Sequence, residues 1–228
     1  MKNTSTGVDE LRPAPVSQPS QIVFVVDDDI SVCESLELLI RHAGWQAETF
    51  TTAQEFLDRP QSAVPCCLVL DVSLPGLNGL ELQKRVAVER PEMPIIFITG
   101  YGDVPMTVQA MKAGAVEFLT KPVSDETLLS AIRNAIERSQ TLLGHQAEIR
   151  DLRARYALLT PRERQVMTLV VAGLLNKQVG DELGISEITV KAHRGSMMRK
   201  MQAESLAGLV KMAARLRLAR PPAAKQQS

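Results

Sequence analysis

The sequence predicts an α/β protein with a five-stranded, parallel, doubly wound sheet, then a helical linker and a small all-α domain of four helices. Short apolar runs without strict polar alternation recur up to residue 120, separated by amphipathic segments. This pattern is typical of parallel strands that helices cover on both faces. The charge also divides the chain: residues 1–150 hold 12 Lys+Arg against 20 Asp+Glu, whereas residues 151–228 hold 14 against 6. An acidic part joined to a basic part suggests two functions, one of them on nucleic acid.

The elements of the first part follow from these runs. In the first helix, Cys33, Leu36, Ile40 and Ala43 fall on one face, and Gly44 is a plausible C-terminal stop. The predicted strands are Ile22–Val26, Gln46–Phe50, Cys66–Leu70, Pro94–Ile98 and Val116–Thr120. The predicted helices are Ile30–Ala43, Ala53–Leu57, Asn78–Glu89, Val104–Ala113 and one from Asp125 onward.

The helix from Asp125 has no early stop. Ser124 can cap its start, and no proline follows until Pro161. Gly144 is the weak point, so the pattern allows one long helix or two that break there. Beyond Gly144 the stripe either packs on a second copy of the chain or lies on a solvated connector. The stripe consists of Leu128, Ile132, Ala135, Ser139, Leu142, Ile149, Leu152 and Tyr156.

A second domain begins at LTPRERQV. Thr160 is the expected N-cap, Pro161 the first helical residue, and Glu163 completes a capping box. The predicted helices are Arg162–Ala172, Lys177–Leu183, Glu187–Met201 and Ser205–Arg215. The expected domains are a folded α/β domain at 21–138, a helical linker at 139–157 and a helical domain at 158–217, between disordered tails at 1–20 and 218–228.

Several classes of protein are disfavoured by composition. No apolar stretch is long enough to span a membrane, and the start of the chain has no segment of signal-peptide length, so we expect a cytoplasmic protein. Cys33, Cys66 and Cys67 are odd in number and lack metal-site spacing, which favours reduced, buried thiols.

Charged and polar residues follow the predicted strands where each strand ends. Three carboxylates, Asp27–Asp29, follow the first strand; Asp71 follows the third, Thr99 the fourth, and Lys121 the fifth. Ligands of doubly wound sheets bind at these carboxyl ends. Clustered carboxylates repel each other, and Mg²⁺, a hard cation, would offset that repulsion.

This set suits phosphoryl transfer. Asp71 precedes a flexible loop and could be a nucleophile that accepts a phosphoryl group. Thr99 and Lys121 could each bond one phosphoryl oxygen, and Gly100 leaves room for the group. Taken singly, an Asp at a strand end is more often a helix cap, and a Lys before Pro is usually solvated.

Two enzyme classes are poorer matches. CCLVLD is similar to the metal-binding strand of a P-loop NTPase, but no GxxxxGK[ST] occurs in the chain. A haloacid-dehalogenase phosphatase would need a second Asp where Ser73 stands. A metal-dependent phosphatase or phosphotransferase with a docking module remains the alternative of another class.

The motifs VVDDD, LVLDVSLPGLNG, FITGYGD and FLTKP occur in this order, and over roughly residues 20–138 the chain resembles the receiver domain of two-component response regulators. The resemblance implies a flavodoxin-like fold, an Asp71 that a sensor histidine kinase phosphorylates, and an Asp29 that caps the next helix. It also implies a switch pair, Thr99 and Phe118, and a cis-proline position at Pro122. The implied Mg²⁺ ligands are Asp27, Asp28, Asp71 and the backbone carbonyl of Ser73.

A helix-turn-helix pattern follows in the basic domain. Leu183-Gly184-Ile185 makes a tight turn and Ser186 caps the second helix. The exposed face of that helix would enter a major groove, and its other face, with Val190, Met197 and Met201, would pack inward. The candidate base contacts are Thr189, Lys191, His193 and Arg194, and the expected phosphate contacts come from Lys177, Arg199 and Lys200. Ser186 is also expected among the DNA-binding residues. His193 could instead be a packed helix residue.

TPRERQV, AGLLNKQVGDELGIS and TVKAHR resemble the LuxR-type DNA-binding domain across about residues 156–217. Together with the receiver, the chain resembles the FixJ/NarL class, and GDVPMTVQAMKAGAVEF favours the FixJ branch. The resemblance implies a transcriptional activator, not an enzyme, that dimerises on phosphorylation and binds double-stranded promoter DNA and RNA polymerase. A DNA-binding protein whose receiver is no longer phosphorylated is a further alternative. The expected dimer face carries Met106, Val108, Met111 and Ala113, although half of these could be ordinary core residues.

Overall fold

The computed structural model describes residues 21–100 and 102–218. The predicted tails lie outside the described residues, apart from Leu218 at the start of the second tail. The chain divides into two compact units between Leu143 and Gly144. Each unit is described by itself.

The first unit is an α/β domain whose described residues form a five-stranded parallel sheet in the order β2-β1-β3-β4-β5. Its strands are β1 (Ile22–Val26), β2 (Gln46–Phe50), β3 (Cys66–Leu70), β4 (Ile95–Thr99) and β5 (Glu117–Thr120). Its helices are α1 (Ile30–His42), α2 (Ala53–Asp58), α3 (Gly79–Glu89), α4 (Val104–Lys112) and the first part of α5 (Asp125–Ala157). The predicted fold class is confirmed.

The sheet separates two apolar cores because alternate strand residues point to opposite faces. Phe24, Leu68 and Phe97 pack with α2, α3 and α4 on one face. Val25, Val69 and Ile96 pack with α1 and α5 on the other. Both faces are covered, which explains why the strands read as continuous apolar runs.

Most predicted boundaries agree with the structure to within one residue. β4 begins one residue later than predicted, at Ile95. Pro94 accepts a hydrogen bond from the backbone N–H of Leu68 but has no N–H to donate. In α1, Cys33 and Ile40 of the predicted face are buried. The helix ends at His42, one residue earlier than predicted, so Ala43 is an exposed C-cap, and Gly44 follows with φ +96°.

Helix α5 is continuous from Asp125 to Ala157, so the structure has the first of the two alternatives that the sequence left open, and a break at Gly144 is excluded. Leu128, Ile132 and Ala135 pack into the core of the first unit. Ser139 shares this buried stripe, and its hydroxyl accepts a hydrogen bond from the backbone N–H of Cys66 at 3.1 Å. A polar residue is tolerated there because its hydroxyl is hydrogen-bonded to the amide at the start of β3.

The second unit is helical. After the end of α5 come α6 (Pro161–Val171), α7 (Asn176–Leu183), α8 (Glu187–Met201) and α9 (Leu206–Arg215). Thr160 and Glu163 form the predicted capping box. Tyr156 packs against the unit's apolar core and Leu152 is buried, so residues beyond Gly144 contribute to this unit rather than forming only a solvated connector.

Two further predictions concern the cysteines and membrane-spanning helices. The three cysteines are free and buried, as predicted. Burial raises the pKa of the Cys66 thiol to about 11, which keeps that thiol protonated near neutral pH. None of the helices in the described part of the chain is both long and apolar enough to cross a membrane.

Two glycines give a matched test of this packing. A Cβ on Gly79 would lie 2.4 Å from the backbone oxygen of Asp71, whereas a Cβ on Gly144 would meet no atom within 4 Å. We expect Gly79→Ala to destabilise the first unit by about 1–3 kcal/mol because backbone atoms must move. Gly144→Ala should instead stabilise α5 by up to ~1 kcal/mol. Chemical denaturation followed by circular dichroism measures both, and equal effects would contradict the packing.

Candidate functional site

Two carboxylates predicted to lie together are neighbours at the carboxyl edge of the sheet. β1 and β3 pair in register, with Val26 opposite Leu70, so the residues that follow, Asp27 and Asp71, stand side by side. The backbone N–H of Asp71 donates to the oxygen of Val26 at 2.9 Å. Asp27 is 3% exposed and Asp71 6%. The pair lies where the strand order reverses, which is the usual ligand site of such sheets.

Lys121 bridges the two carboxylates. Its Nζ lies 2.6 Å from Asp27 Oδ2 and 3.5 Å from Asp71 Oδ1. The backbone positions it, because the N–H of Lys121 donates to the oxygen of Thr99 at 2.8 Å at the ends of β4 and β5. The Lys121–Pro122 peptide bond is cis, as the resemblance implied.

These charges perturb each other. Burial raises the pKa of the Asp71 carboxyl, and the charge of Asp27 raises it further; the N–H of Ser73 and the ammonium of Lys121 oppose the rise. Burial alone would lower the pKa of Lys121, but its hydrogen bond to Asp27 and the charges of Asp27 and Asp71 outweigh burial, so that pKa is raised. Lys121 is therefore a fixed cation between two carboxylates.

The neighbouring acidic residues differ in role. Asp28 is exposed at the rim of the site. The Asp29 side chain accepts hydrogen bonds from the N–H groups of Ser31 and Val32 and so caps α1, as predicted. Ser73 lies in the loop after Asp71, where its N–H donates to Asp71 Oδ2 at 2.8 Å.

The oxygen atoms at this edge fit Mg²⁺. Among residues 21–100 and 102–218, no group of three His, Cys, Asp or Glu side chains could hold a metal ion by itself. Mg²⁺ does not require such a cage, since it usually binds one or two carboxylates and keeps several waters. Asp27, Asp71, the exposed Asp28 and the loop carbonyls supply only hard oxygen donors.

Thr99 and Phe118 lie on the adjacent strands β4 and β5. Thr99 is fully buried at the end of β4. The Phe118 ring is half-buried, and its centroid lies 5.8 Å from that of Phe97. A Cβ on Gly102 would lie 2.9 Å from the Phe118 ring, so the ring packs closely on the loop that leads to α4. This loop connects the site to α4.

Helix α4 carries an exposed apolar surface formed by Val104, Val108 and Met111, which are 77%, 44% and 41% exposed. Met106 is half-buried and packs on the core of the first unit. Ala113 is exposed at the C-cap. We call Val104, Val108 and Met111 the α4 surface.

The helix-turn-helix of the second unit forms as predicted. Gly184 adopts the left-handed conformation at the end of α7, and the Ser186 side chain caps α8 by accepting from the N–H of Thr189. Val190, Met197 and Met201 are fully buried. This leaves the opposite face of α8 at the surface.

Most of the predicted DNA contacts lie on that surface. Lys177, Ser186, Lys191 and Arg199 are exposed, whereas Thr189, His193 and Arg194 are half-buried. Lys191 pairs with Glu187 at 3.0 Å, and Arg194 Nη1 donates to Asn176 Oδ1 at 3.0 Å. In each contact, a polar group of DNA could take the place of the protein partner, which is Glu187 for Lys191 and Asn176 for Arg194.

Lys200 has a different partner. Its Nζ lies 2.7 Å from Oε2 of Glu163, which is 3% exposed. The Glu163 carboxylate also accepts from the N–H of Thr160 at 2.8 Å. Sequence reasoning found Glu163 only as a capping residue, because its pairing with α8 depends on tertiary packing that no spacing reveals.

Comparison with known proteins agrees with this geometry. The family model of the response regulator receiver domain matches residues 23–133, and that of bacterial regulatory proteins of the luxR family matches residues 157–213. A receiver followed by a LuxR-type DNA-binding domain defines a class of transcription regulators rather than enzymes. The chain belongs to the FixJ-like response regulators of two-component systems.

The relatives cover most of the chain. Nodulation protein W of Bradyrhizobium diazoefficiens is 51% identical over 191 residues, which is 84% of each chain. The transcriptional regulatory protein FixJ of the same bacterium is 44% identical over 193 residues, or 85% of this chain and 94% of FixJ. The low-resolution structure of the response regulator StyR is 45% identical with a TM-score of 0.76, covering 86% of this chain and 99% of StyR.

The buried Glu163 predicts a pH dependence. Burial would raise the pKa of its carboxyl, but hydrogen bonds from Lys200, Ser196 and the Thr160 N–H lower the pKa from 4.5 to about 2. The ionised group therefore contributes stability that is present above pH 4.5 and is lost as the pH falls towards 2. Glu163→Gln should destabilise the second unit by about 1.5–3 kcal/mol at neutral pH.

Denaturation of the wild type and Glu163→Gln at several pH values measures this difference. The difference should shrink below pH 4.5, the ordinary pKa of the carboxyl. Glu204→Gln is the matched control, since Glu204 is exposed. A Glu163→Gln effect that does not change with pH would contradict the assigned charge.

Proposed function

We propose that Asp71 accepts a phosphoryl group from a sensor histidine kinase and that this modification makes the protein dimerise and activate transcription. The observation that carries the proposal is the position of Lys121, whose ammonium lies 3.5 Å from Asp71 and is fixed by Asp27. A cation held beside a carboxylate prepares that site for further negative charge.

The chemistry is a transfer between two side chains. A carboxylate oxygen of Asp71 attacks the phosphorus of a phosphohistidine, the new O–P bond forms, and the P–N bond breaks so that the imidazole nitrogen leaves with its electron pair. Lys121 Nζ is within reach of a phosphoryl oxygen on Asp71 and would form a charge-assisted bond. Thr99 would bond a second phosphoryl oxygen.

Asp27, Asp28, Asp71 and the backbone carbonyl of Ser73 are the proposed Mg²⁺ ligands. The ion would neutralise charge on the transferred phosphoryl group. Asp27 has two tasks in this arrangement, because its Oδ2 is already hydrogen-bonded to Lys121. A ligand carboxylate that also holds the lysine fixes both cations about the same acceptor.

Phe118 and the α4 surface would carry the signal outward. When Thr99 moves towards the phosphoryl group, the Phe118 ring turns inward and leaves its place against the loop at Gly102. That loop ends at Asp103, whose side chain caps α4 through the N–H of Met106 at 2.7 Å. A change in the loop therefore reaches α4, and two α4 surfaces would meet in the dimer.

The dimer would place two helix-turn-helix units on adjacent half-sites of promoter DNA. Base contacts would come from Ser186, Thr189, Lys191, His193 and Arg194, and phosphate contacts from Lys177 and Arg199. We further propose that the DNA-bound dimer acts on RNA polymerase in the cytoplasm. The high positive charge of residues 151–228 supports the DNA-binding part of this proposal.

Phosphorylation is tested with a small phosphodonor. We expect phosphoramidate and Mg²⁺ to add one phosphoryl group to the wild type, and Asp71→Asn to remain unlabelled, as measured by intact mass. Asp58→Asn is the matched control, because Asp58 is an exposed carboxylate away from the sheet edge that accepts a hydrogen bond from Gln54. Labelling of Asp71→Asn would contradict the proposal, and steady multiple turnover of the donor would favour a phosphatase.

The dimer surface is tested separately. Val108→Glu with Met111→Glu adds two like charges to the α4 surface, so the labelled protein should stay monomeric on size-exclusion chromatography while the mass gain is unchanged. Val88→Glu is the control, since Val88 is 81% exposed on α3. A normal dimer in the double variant would exclude the α4 surface as the interface.

A further inference from the structure

We propose that Lys200 and Glu163 are positioning residues for DNA recognition, which hold helix α8 in its reading orientation, and that Lys200 does not contact phosphate. The inference goes beyond the proposed function, and it rests on the DNA-binding domain rather than on the phosphorylation of Asp71.

The carboxylate of Glu163 is buried and hydrogen-bonded. Glu163 is 3% exposed, and its carboxylate accepts hydrogen bonds from Lys200 Nζ at 2.7 Å and from the Thr160 N–H at 2.8 Å. A buried carboxylate that loses its cation is left uncompensated, which is strongly unfavourable. The side chain of Lys200 is therefore committed to Glu163.

Glu163 and Lys200 lie on different helices of the second unit. Glu163 lies in the first turn of α6, where Thr160 and the capping box fix the backbone. Lys200 lies in the last turn of the recognition helix α8. The ion pair therefore joins the fixed start of one helix to the far end of the helix that reads DNA.

A third contact supports the same role. Arg162, the residue before Glu163, donates from Nη2 to the backbone oxygen of Leu183 at 2.7 Å. Leu183 is the last residue of α7 and precedes the turn at Gly184. Two successive residues of α6 thus hold the end of α7 and the end of α8, which sets the angle between the two helices of the motif.

Arg199 provides the contrast. It is the neighbouring cation on the same turn of α8 but is exposed, whereas Lys200 is half-buried. A long cationic side chain normally keeps its charged end in water, as Arg199 can and as a phosphate contact requires. Lys200 and Arg199 thus form a matched pair, one turned to the interior and one to solvent.

The two roles predict different salt dependence. Loss of a phosphate contact reduces the slope of log K against log salt by about 0.9 and weakens all duplexes alike. Loss of a positioning contact leaves the slope unchanged and weakens the preferred sequence more than others. The probes are a duplex that the untreated wild type selects from a random-sequence pool and a scrambled duplex of equal composition.

The experiment compares full-length Lys200→Met, Glu163→Gln, their combination and Arg199→Met. We expect Lys200→Met and Glu163→Gln each to lower affinity for the selected duplex by about tenfold or more, with little change for the scrambled one. The affinity of the combined variant for the selected duplex should be no lower than that of the single variant that binds more weakly, because both changes remove the same interaction. Arg199→Met should reduce the salt slope.

A salt slope reduced by about 0.9 in Lys200→Met, with equal weakening of both duplexes, would overturn the proposal. So would losses that add in the combined variant. Lys200→Arg, which keeps the charge, should restore selectivity, and this rescue guards against variants that are only poorly folded. The unfolding free energies of the wild type, Lys200→Met, Glu163→Gln and their combination form a double-mutant cycle that needs no DNA. Zero coupling energy between Glu163 and Lys200 in this cycle would also overturn the proposal. No phosphodonor is used, so failure of Asp71 labelling leaves this result intact.

Discussion

The first unit depends on the ammonium of Lys121, which lies between two buried carboxylates. Parallel pairing of β1 and β3 brings Asp27 and Asp71 to the same edge, where like charges oppose burial. Lys121 offsets that repulsion through contacts of 2.6 and 3.5 Å. The same arrangement supports the proposal that this site is stable before modification and accepts a doubly charged phosphoryl group.

The second unit also contains a buried carboxylate beside a lysine, but the surroundings of this carboxylate differ from those of Asp71. Glu163 is also a buried carboxylate matched by one lysine, but its partners are a helix cap and the recognition helix. No ligand is needed to complete this network, which fits a structural role. At the sheet edge, burial instead raises the pKa of the Asp71 carboxyl, although the N–H of Ser73 and the ammonium of Lys121 oppose the rise. The ionised Glu163 stabilises the second unit, whereas the reactivity proposed for Asp71 rests on its place beside Lys121.

The sequence was sufficient for the strands, the helix-turn-helix and the grouping of Asp27, Asp71, Thr99 and Lys121, because a parallel sheet brings strand ends together whatever its loops do. It could not decide the continuity of α5, since the cost of Gly144 in a helix is only about 1 kcal/mol and neighbouring packing outweighs it. The end of α1 was predicted one residue late, at Ala43, because helix periodicity does not mark the last turn. The pairing of Lys200 with Glu163 escaped because the two residues are far apart in sequence.

The position of the phosphoryl group can be located after labelling with phosphoramidate and Mg²⁺. Borohydride reduces an aspartyl phosphate to homoserine, a stable product that peptide mass spectrometry can place in the chain. We expect homoserine at position 71 in the wild type and none in a Lys121→Met protein labelled for the same time. Homoserine at Asp27 or Asp28, or equal labelling without Lys121, would contradict this expectation.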